Sequence, residues 1–401
     1  MHFLGLKKRT CRKKRTALAQ ETSQDPDITA AIEGSGESTM EKATEKAQDT
    51  VHNLFCDVSL NIAVTGETGA GKSFFINAIR GLEADDEGAA KTGVTETTTE
   101  ATSYQHPTMP NVTFWDLPGV GSCNFQAKRY LQQVNFNRYD FFIIILSERF
   151  RENNILLATE IQNQEKKFYF VRSKIDNDVR AEENRRDFNR EKMLSDIKQD
   201  CQQKLKDFEN PKVFLISSKD LSAFDFEELV DTLMSELPEH KQNALIQSVP
   251  VTSVAVLKKK VEMFKKAVWA AALSSGAVAA VPVLGLSLAC DASILVTFFT
   301  KCRFSLGLDE KSIDRLSERV NKPHLKSLIK CPLVSKMATL KLGVSLLASS
   351  EVMESLFKFV PGLGCALAAG ISFSSTMLLL KTGLKELEDA ALTVLREAGL
   401  D

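Results

Sequence analysis

Short apolar runs alternate with amphipathic stretches between residues 57 and 237. Apolar strands that lack a polar face and are separated by helices indicate a mainly parallel sheet covered on both sides. Such sheets bind ligands beyond the carboxyl ends of their strands. The predicted strands are Val58–Val64, Val112–Trp115, Phe141–Leu146, Phe168–Val171 and Val213–Ile216. The predicted helices lie near residues 72–82, 125–135, 152–166, 188–207 and 225–236.

The strand pattern ends near Pro238, and only helical patterns follow it. Ahead of the sheet, Ser38 and Glu41 form a capping box before an apolar stripe, which predicts an N-terminal helix with one face to bury. The sequence therefore predicts an α/β domain combined with an all-α region. The predicted segments are a basic, disordered tail at 1–37, the N-terminal helix at 38–56, the α/β domain at 57–238 and the helical domain at 239–401.

Two uncharged stretches of the C-terminal half, Ala267–Cys290 and Phe359–Leu380, approach the length of about 20 residues that spans a bilayer. Both are rich in Ala, Gly and Ser, and each holds Pro and Gly together, which favours two short helices joined by a turn. We favour a buried core of the helical domain. A membrane-inserting hairpin and true transmembrane helices are the alternatives.

The composition is that of a globular protein, with 43% hydrophobic and 26% charged residues and a formal net charge of -1. Nucleic acid is therefore not an expected partner. The eight cysteines have neither metal-ligand spacing nor a secreted disulfide pattern, so we expect buried thiols in a reducing cytosol.

The first residues do not have the pattern of a secretion signal, and His2 at the second position excludes N-myristoylation. The basic cluster Lys7–Arg15 fits an anionic membrane, a nuclear address or a solvated tail, and Cys11 within it is a candidate for palmitoylation.

A glycine-rich segment between the first predicted strand and the next helix matches the pattern G-x-x-x-x-G-K-[ST]. Its glycines allow the backbone to wrap an anion, so that N–H groups and a helix N-terminus point at phosphate oxygens. We expect Lys72 to reach the β- and γ-phosphates and Ser73 to offer its hydroxyl to Mg²⁺. The segment consists of Gly66, Glu67, Thr68, Gly69, Ala70, Gly71, Lys72 and Ser73.

The residues that distinguish guanine from adenine follow the fourth predicted strand, at Ser173, Lys174 and Asp176. Guanine presents its N1–H and 2-amino group side by side, so one carboxylate accepts both hydrogen bonds. Adenine would leave Asp176 facing a lone pair, a mismatch that costs several kcal/mol. The Lys174 stem is expected to lie along the base. A loop that touches the guanine edge is expected at Ser217, Ser218 and Lys219.

Asp116-Leu117-Pro118-Gly119 follows the second predicted strand. We expect Asp116 to hold Mg²⁺ through water and the Gly119 N–H to bind the γ-phosphate. One threonine of the run between Ser73 and Asp116 is expected to close over Mg²⁺ and the γ-phosphate. Thr92 has the most usual spacing from Lys72, and Thr95 and Thr98 stay open as alternatives.

Val120 stands where Ras-like enzymes carry the glutamine that positions water. A missing group of this kind costs on the order of 10³–10⁵ in rate. We therefore expect slow hydrolysis by the isolated chain, relieved when another molecule supplies groups across the nucleotide face. Glu96 is the candidate for orienting water.

Together these motifs resemble the immunity-related, interferon-inducible GTPases, closely over about residues 38–240 and more loosely beyond. The resemblance implies a Ras-like G domain fused to a helical domain built from the N-terminal helix and the C-terminal half. It also implies dimers or higher oligomers through the G-domain face, a cytoplasmic protein peripherally associated with intracellular membranes, and cell-autonomous defence. The Gly-Lys-Ser sequence at Lys72 is similar to the effector type. The motifs are Gly66–Ser73, Thr92–Val94, Phe114–Gly121, Tyr139–Ile144 and Phe168–Asp176.

The sequence therefore predicts an enzyme that converts GTP and water to GDP and phosphate with Mg²⁺. A GTP-switched binding module with negligible turnover is the alternative from another class. An ATPase is a third interpretation, and it requires the position of Asp176 to be accidental.

Overall fold

The structure is a computed structural model that describes most of the chain. The predicted basic tail, the capping box of Ser38 and Glu41, and residues 359–372 of the second uncharged stretch lie outside the described residues. The described residues are 45, 48–49, 51–53, 55, 58–93, 98, 100–120, 125–147, 150–208, 211–278, 286–335 and 373–400.

The described strands form one six-stranded sheet. They are β1 (Leu60–Gly66), β2 (Thr102–Gln105), β3 (Val112–Asp116), β4 (Phe141–Leu146), β5 (Lys167–Arg172) and β6 (Val213–Leu215). Their order is β2-β3-β1-β4-β5-β6, and every neighbouring pair is parallel except β2 with β3. In register, Leu60 pairs with Val112 and Ile62 with Phe141. This arrangement confirms the predicted mostly parallel α/β fold.

The middle of the sheet is the most apolar part of the fold. Every residue of β4 is buried, because neighbouring strands and helices cover both of its faces. Edge strand β2 was not predicted, since its four residues are mostly exposed and carry no apolar pattern. Backbone pairing with β3, such as Tyr104 opposite Phe114, holds it in the sheet.

Helices follow the strands as the alternating pattern predicts. One helix, α4, was not predicted from the sequence. Ile175 is its only buried residue, and its sequence has no apolar stripe. The helices are α1 (Lys72–Ile79), α2 (Ala127–Gln133), α3 (Glu152–Asn163), α4 (Ile175–Glu182), α5 (Arg190–Lys204), α6 (Phe226–Glu236), α7 (Glu239–Ser248), α8 (Val254–Val278), α9 (Leu286–Ser305), α10 (Glu310–Val320) and α11 (Phe373–Ala398). Where the C-terminal half, from residue 239 on, is described it is rich in helices and holds no strand, as predicted.

The described residues group into two compact units, which we call the sheet unit and the helical unit. The sheet unit comprises described residues of Phe55–Lys260, Ser305–Lys326 and Val394–Asp401. The helical unit comprises those of Met1–Leu54, Val261–Phe304 and Ser327–Thr393. The domain limits given from the sequence stay a prediction.

Aromatic packing supports the carboxyl ends of β4 and β5 in the sheet unit. The ring of Phe170 meets that of Phe150 edge-on at 5.0 Å, and both belong to a buried cluster with Leu157 and Ile161 of α3. Cys201 of α5 lies in the same cluster, and burial raises its pKa to about 11. The loops that leave these two strands therefore start from a rigid base.

The helical unit packs closely where its residues are described. Gly383 of α11 lies against Phe299 of α9, and a Cβ at this glycine would be 2.3 Å from the ring. The Glu386 carboxylate accepts a hydrogen bond from the Leu333 N–H at 3.0 Å. No helix within the described ranges is both long enough and apolar enough to cross a bilayer.

Candidate functional site

The phosphate loop leaves β1 through a glycine that has no room for a side chain. Gly66 has a φ of 139°, and a Cβ there would lie 2.1 Å from the Ile145 carbonyl oxygen of β4. Gly71, with a φ of 95°, occupies the left-handed region at the N-cap of α1. Glycine at these two positions lets the loop turn tightly into the helix N-terminus, where backbone N–H groups converge.

Lys72 lies inside the loop rather than in solvent. It is 8% exposed, and its Nζ donates to the Glu67 carbonyl at 3.1 Å and to the Gly66 carbonyl at 3.3 Å. The ammonium group is therefore held against the backbone of the loop that the sequence predicts as the phosphate cradle.

Ser73 and Asp116 meet at the carboxyl ends of β1 and β3. Ser73 Oγ donates to Asp116 Oδ2 at 2.5 Å, and Thr98 Oγ1 donates to the same oxygen at 3.2 Å. Asp116 Oδ1 is buried without a hydrogen-bond partner. Burial raises the pKa of Asp116, and the Ser73 hydrogen bond and the Lys72 charge offset this only partly. An unpartnered carboxylate oxygen beside two hydroxyls is a donor set that fits Mg²⁺.

The threonine run is only partly described. Thr98 is half-buried beside Asp116, whereas Thr92 is exposed. Thr95 and Glu96 lie outside the described residues. Between Thr92 and Thr98, the two candidates that the structure describes, Thr98 is therefore the one that contacts Asp116.

Gly119 packs directly on the phosphate loop. A Cβ at this position would lie 2.3 Å from Thr68 Oγ1 and 3.1 Å from the Thr68 nitrogen. The next residue, Val120, is fully buried, and its N–H donates to the Gly66 carbonyl at 3.3 Å. The Val120 side chain therefore belongs to the apolar core and presents no polar group to the loop.

The guanine motif is attached to the phosphate loop by two side chains. Ser173 Oγ shares its proton between the Ala70 carbonyl at 2.7 Å and the Leu146 carbonyl at 3.0 Å. Lys174, whose φ is 60°, donates from Nζ to the Gly69 carbonyl at 2.9 Å. The two motifs that the sequence predicts separately thus form one site.

Asp176 faces the loop after β6. Its Oδ1 accepts from Ser217 Oγ at 3.0 Å, while Oδ2 lies 3.3 Å from Lys219 Nζ without the geometry of a hydrogen bond. Ser218, which stands between Ser217 and Lys219 in the sequence, is half-buried. One carboxylate oxygen is therefore anchored, and the other is buried and still able to accept hydrogen bonds.

A family model for interferon-inducible GTPases matches residues 26–397. The chain belongs to the interferon-inducible GTPase family. Interferon-inducible GTPase 5 of Rattus norvegicus is 40% identical over 342 residues, which cover 83% of this chain and 74% of the relative. Interferon-gamma-inducible GTPase 10 of Mus musculus is 42% identical, with 68% of this chain and 67% of the relative covered. Interferon-inducible GTPase 1 of Mus musculus is 41% identical, with coverages of 69% and 68%.

Membership of the interferon-inducible GTPase family confirms the resemblance drawn from the motifs. The effector subtype suggested by Gly-Lys-Ser stays a prediction.

One part of the site in this interferon-inducible GTPase was not predicted. Glu67 of the phosphate loop is held by the start of α3, where Asn154 Nδ2 donates to Glu67 Oε1 at 3.2 Å and Arg151 Nε lies 3.2 Å from Oε2. Asn153 Nδ2 donates to the Val120 carbonyl at 2.7 Å. The sequence signal for this contact was the pair Asn153-Asn154. It follows the apolar strand β4 and so comes at the same edge of the sheet as the other motifs.

Proposed function

We propose that this chain binds GTP together with Mg²⁺ and hydrolyses it to GDP and phosphate in cell-autonomous defence. The observation that carries the proposal is the attachment of the guanine motif to the phosphate loop through Ser173 and Lys174. A base-selecting motif that is linked to a phosphate-binding loop fits a single ligand that carries both a base and phosphates, which is a nucleotide. Family membership supports the same activity, since the relatives are named as GTPases.

The phosphate end of the ligand is assigned to the loop amides and Lys72. Ser73, Asp116 and Thr98 are the proposed oxygen ligands for Mg²⁺, directly or through water, because their side-chain oxygens already converge. When bound, Mg²⁺ supplies neutralising charge at the β- and γ-phosphate oxygens. The Gly119 N–H is assigned to the γ-phosphate, since this residue lies against Thr68 of the loop.

The base end of the ligand is assigned to Asp176. Its Oδ2 makes no hydrogen bond, although Lys219 Nζ lies 3.3 Å away, and we assign it to the 2-amino group of guanine. Oδ1, which also accepts from Ser217, is assigned to guanine N1–H. This preference for guanine argues against an ATPase, because adenine offers no matching pair of donors to one carboxylate.

Hydrolysis by the isolated chain is proposed to be slow and to increase on self-assembly. Val120 is buried in the core, so the position that carries a glutamine in Ras-like enzymes supplies no group to orient water. We assign that role to Glu96 or to groups from a second copy of the chain across the nucleotide face. The burial of Val120 also favours the alternative, a GTP-switched binding module with negligible turnover, because a site without a group to orient water hydrolyses GTP slowly.

The cellular part of the proposal is a cytoplasmic protein that forms dimers or higher oligomers with nucleotide and associates peripherally with intracellular membranes. It is supported by the family alone. Co-sedimentation with liposomes in the presence of GDP or a non-hydrolysable GTP analogue tests it. Equal pelleting in both nucleotide states would contradict nucleotide control of membrane binding.

The enzymatic proposal is tested by phosphate release per molecule at increasing protein concentration. We expect turnover to rise with concentration, because a second copy supplies the missing groups. Lys72→Ala should remove both binding and turnover. A flat, low turnover combined with tight GTP binding would instead support the binding module, and preferential binding of ATP would exclude both.

A further inference from the structure

Helix α10 carries a basic stripe that is not part of the proposed nucleotide site. Lys311, Arg315 and Arg319 are four residues apart, so they lie on one face of the helix. Each of them pairs with a carboxylate elsewhere in the sheet unit. The carboxylates are Asp86 and Glu83, in the loop after α1, and Asp220, in the loop after β6 that holds Ser217 and Lys219.

The first target of the stripe is the loop 81–90, which leads from α1 to the threonine run. Lys311 Nζ lies 2.7 Å from Asp86 Oδ1, and Arg315 pairs with Asp86 Oδ2. Arg315 also donates to the Gly81 carbonyl, so it holds both the beginning and the middle of the loop. Burial acts to raise the pKa of Asp86, but its contacts with Lys311, Glu83 N–H and Arg315 leave that pKa lowered.

The same loop is fixed to α1 on its other side. Asn77 exchanges two hydrogen bonds with Ala90, at 2.9 and 2.7 Å, and Arg80 donates to the Gly88 carbonyl at 3.0 Å. Helix α1 begins at Lys72, in the phosphate cradle. Helix α1 therefore connects the phosphate cradle to the loop 81–90, and side-chain contacts connect that loop to α10.

The second target is the loop at the proposed guanine edge. Arg319 Nη1 lies 3.2 Å from Asp220 Oδ1, directly after Lys219 in the chain. The Ser222 N–H donates to the same Asp220 oxygen at 3.0 Å. One helix thus contacts the segment that precedes the threonine run and the segment that borders the base.

Helix α10 is built to keep its position. Asp309 caps its N-terminus by accepting from the Ser312 N–H at 3.1 Å, and Asn321 ends it in the left-handed conformation with a φ of 53°. Ile313 is 1% exposed and anchors the helix in the sheet unit. The pair of Arg315 and Asp86 is also less exposed, at 24% and 17%, than ordinary surface pairs, so it is screened less by solvent.

We infer that Lys311, Arg315 and Arg319 are positioning residues through which α10 is coupled to the occupancy of the nucleotide site. The inference rests on the proposed function. The loop 81–90 leads into the threonine run that is expected to meet the γ-phosphate, so we expect the loop and its Asp86 pairs to differ between the GTP-bound and GDP-bound chain. By reciprocity, the contacts of α10 bias the loop toward one nucleotide state.

Hydrogen exchange of the full chain tests the coupling, measured with GDP, with a non-hydrolysable GTP analogue and without nucleotide. We expect protection of residues 310–320 to differ between the two nucleotides and the difference to disappear in Arg315→Ala. The ratio of analogue to GDP affinity should change about fivefold in that variant. Lys326→Ala is the matched control, since its exposed pairs with Glu310 and Asp314 are made to α10 itself and touch neither loop.

A double-mutant cycle separates coupling from simple stabilisation. The changes that Arg315→Ala and Asp86→Ala make in the affinity ratio should not add up in the double variant, because both break the same pair, and additive changes would contradict the coupling. Arg319→Ala provides an independent test at the base side and should change dissociation of both nucleotides. If the analogue binds but protection of 310–320 does not respond, or if Arg315→Ala matches Lys326→Ala, the coupling is wrong and the proposed function stands. If the unmodified chain binds no guanine nucleotide, both fail.

Discussion

The hydroxyl oxygen of Ser173 lies 2.7 Å from the carbonyl oxygen of Ala70, although 103 positions separate the two residues in the chain. This hydrogen bond joins the loop after β5 to the loop after β1. Lys174 makes a second, exposed link to the Gly69 carbonyl, so two hydrogen bonds join the base selector to the phosphate cradle. A ligand that fits one motif is therefore presented at a set distance from the other.

Asp176→Asn is expected to change base preference from guanine to xanthine. An asparagine amide in place of Oδ2 would face the 2-amino donor of guanine with another donor, whereas the 2-oxo group of xanthine would accept from it. GTP affinity should fall at least about 100-fold and xanthosine triphosphate affinity should rise. Nucleotide competition measures both.

Glu182→Gln is the control, because it also replaces a carboxylate of α4 with an amide. The Glu182 side chain pairs with nearby Arg185. Equal losses for GTP and xanthosine triphosphate in Asp176→Asn would contradict the assignment of Asp176 to the base.

Ser73→Ala is expected to uncouple nucleotide binding from Mg²⁺. The Ser73 hydroxyl is the closest partner of Asp116 Oδ2, so its loss removes one oxygen donor and leaves the phosphate cradle intact. Titration with Mg²⁺ should show the GTP affinity of the parent chain rising with metal, and that of Ser73→Ala rising about tenfold less. Ser235→Ala, at an exposed serine of α6, is the control. A parallel metal dependence in Ser73→Ala would exclude Ser73 as a ligand.

The parts of the site that follow from local sequence could be predicted. The glycines of the phosphate loop and the residues Asp116 and Asp176 follow strands whose apolar runs are easily read, and the sheet topology places those strand ends at one edge. Strand β4 matches its predicted limits of Phe141–Leu146 for the same reason.

Other parts depend on contacts between distant segments. Spacing alone favours Thr92, whereas of the described threonines in the run it is Thr98 that contacts Asp116, because residue count does not set the path of a loop. The stripe of Lys311, Arg315 and Arg319 is visible in the sequence, but its partner Asp86 is 229 positions from Arg315. Only the folded chain shows which acidic residues it meets.

Lys260→Met is expected to change how stability depends on pH. Lys260 is 1% exposed and donates to the Gln247 carbonyl at 3.1 Å and Ser305 Oγ at 3.3 Å, neither of which is a carboxylate. Burial lowers its pKa from 10.5 to about 7. Between these values the unfolded chain holds the extra proton, so stability rises with pH by at most about 1.4 kcal/mol per pH unit. This gain is lost as the pH falls toward 7.

Urea unfolding at about pH 7, 8.5 and 10 measures this slope. The pKa of His106, near Lys260, is lowered to about 3 by burial, so the histidine stays neutral throughout the range. We expect Lys260→Met to flatten the slope and Lys259→Met, at a neighbouring lysine paired with Asp231, to preserve it. Superimposable pH profiles for the parent chain and Lys260→Met would show that Lys260 is not buried as a neutral amine.

Val120→Gln is expected to destabilise the chain without restoring fast hydrolysis. The side chain of Val120 is fully buried in the apolar cluster beneath the phosphate loop. A glutamine there places an amide among apolar side chains and costs about 1–3 kcal/mol when its hydrogen bonds are not made. The urea midpoint should therefore fall, and single-turnover hydrolysis at low protein concentration should stay at the parent value.

Val120→Ala separates the loss of packing from the buried amide. It removes two methyl groups without adding a polar one, so its midpoint should fall less than that of Val120→Gln. The decisive outcome is the rate. If Val120→Gln raised single-turnover hydrolysis about 100-fold or more while keeping its urea midpoint, the residue would turn toward the nucleotide in the active state. Self-assembly would then be unnecessary as the source of the missing group.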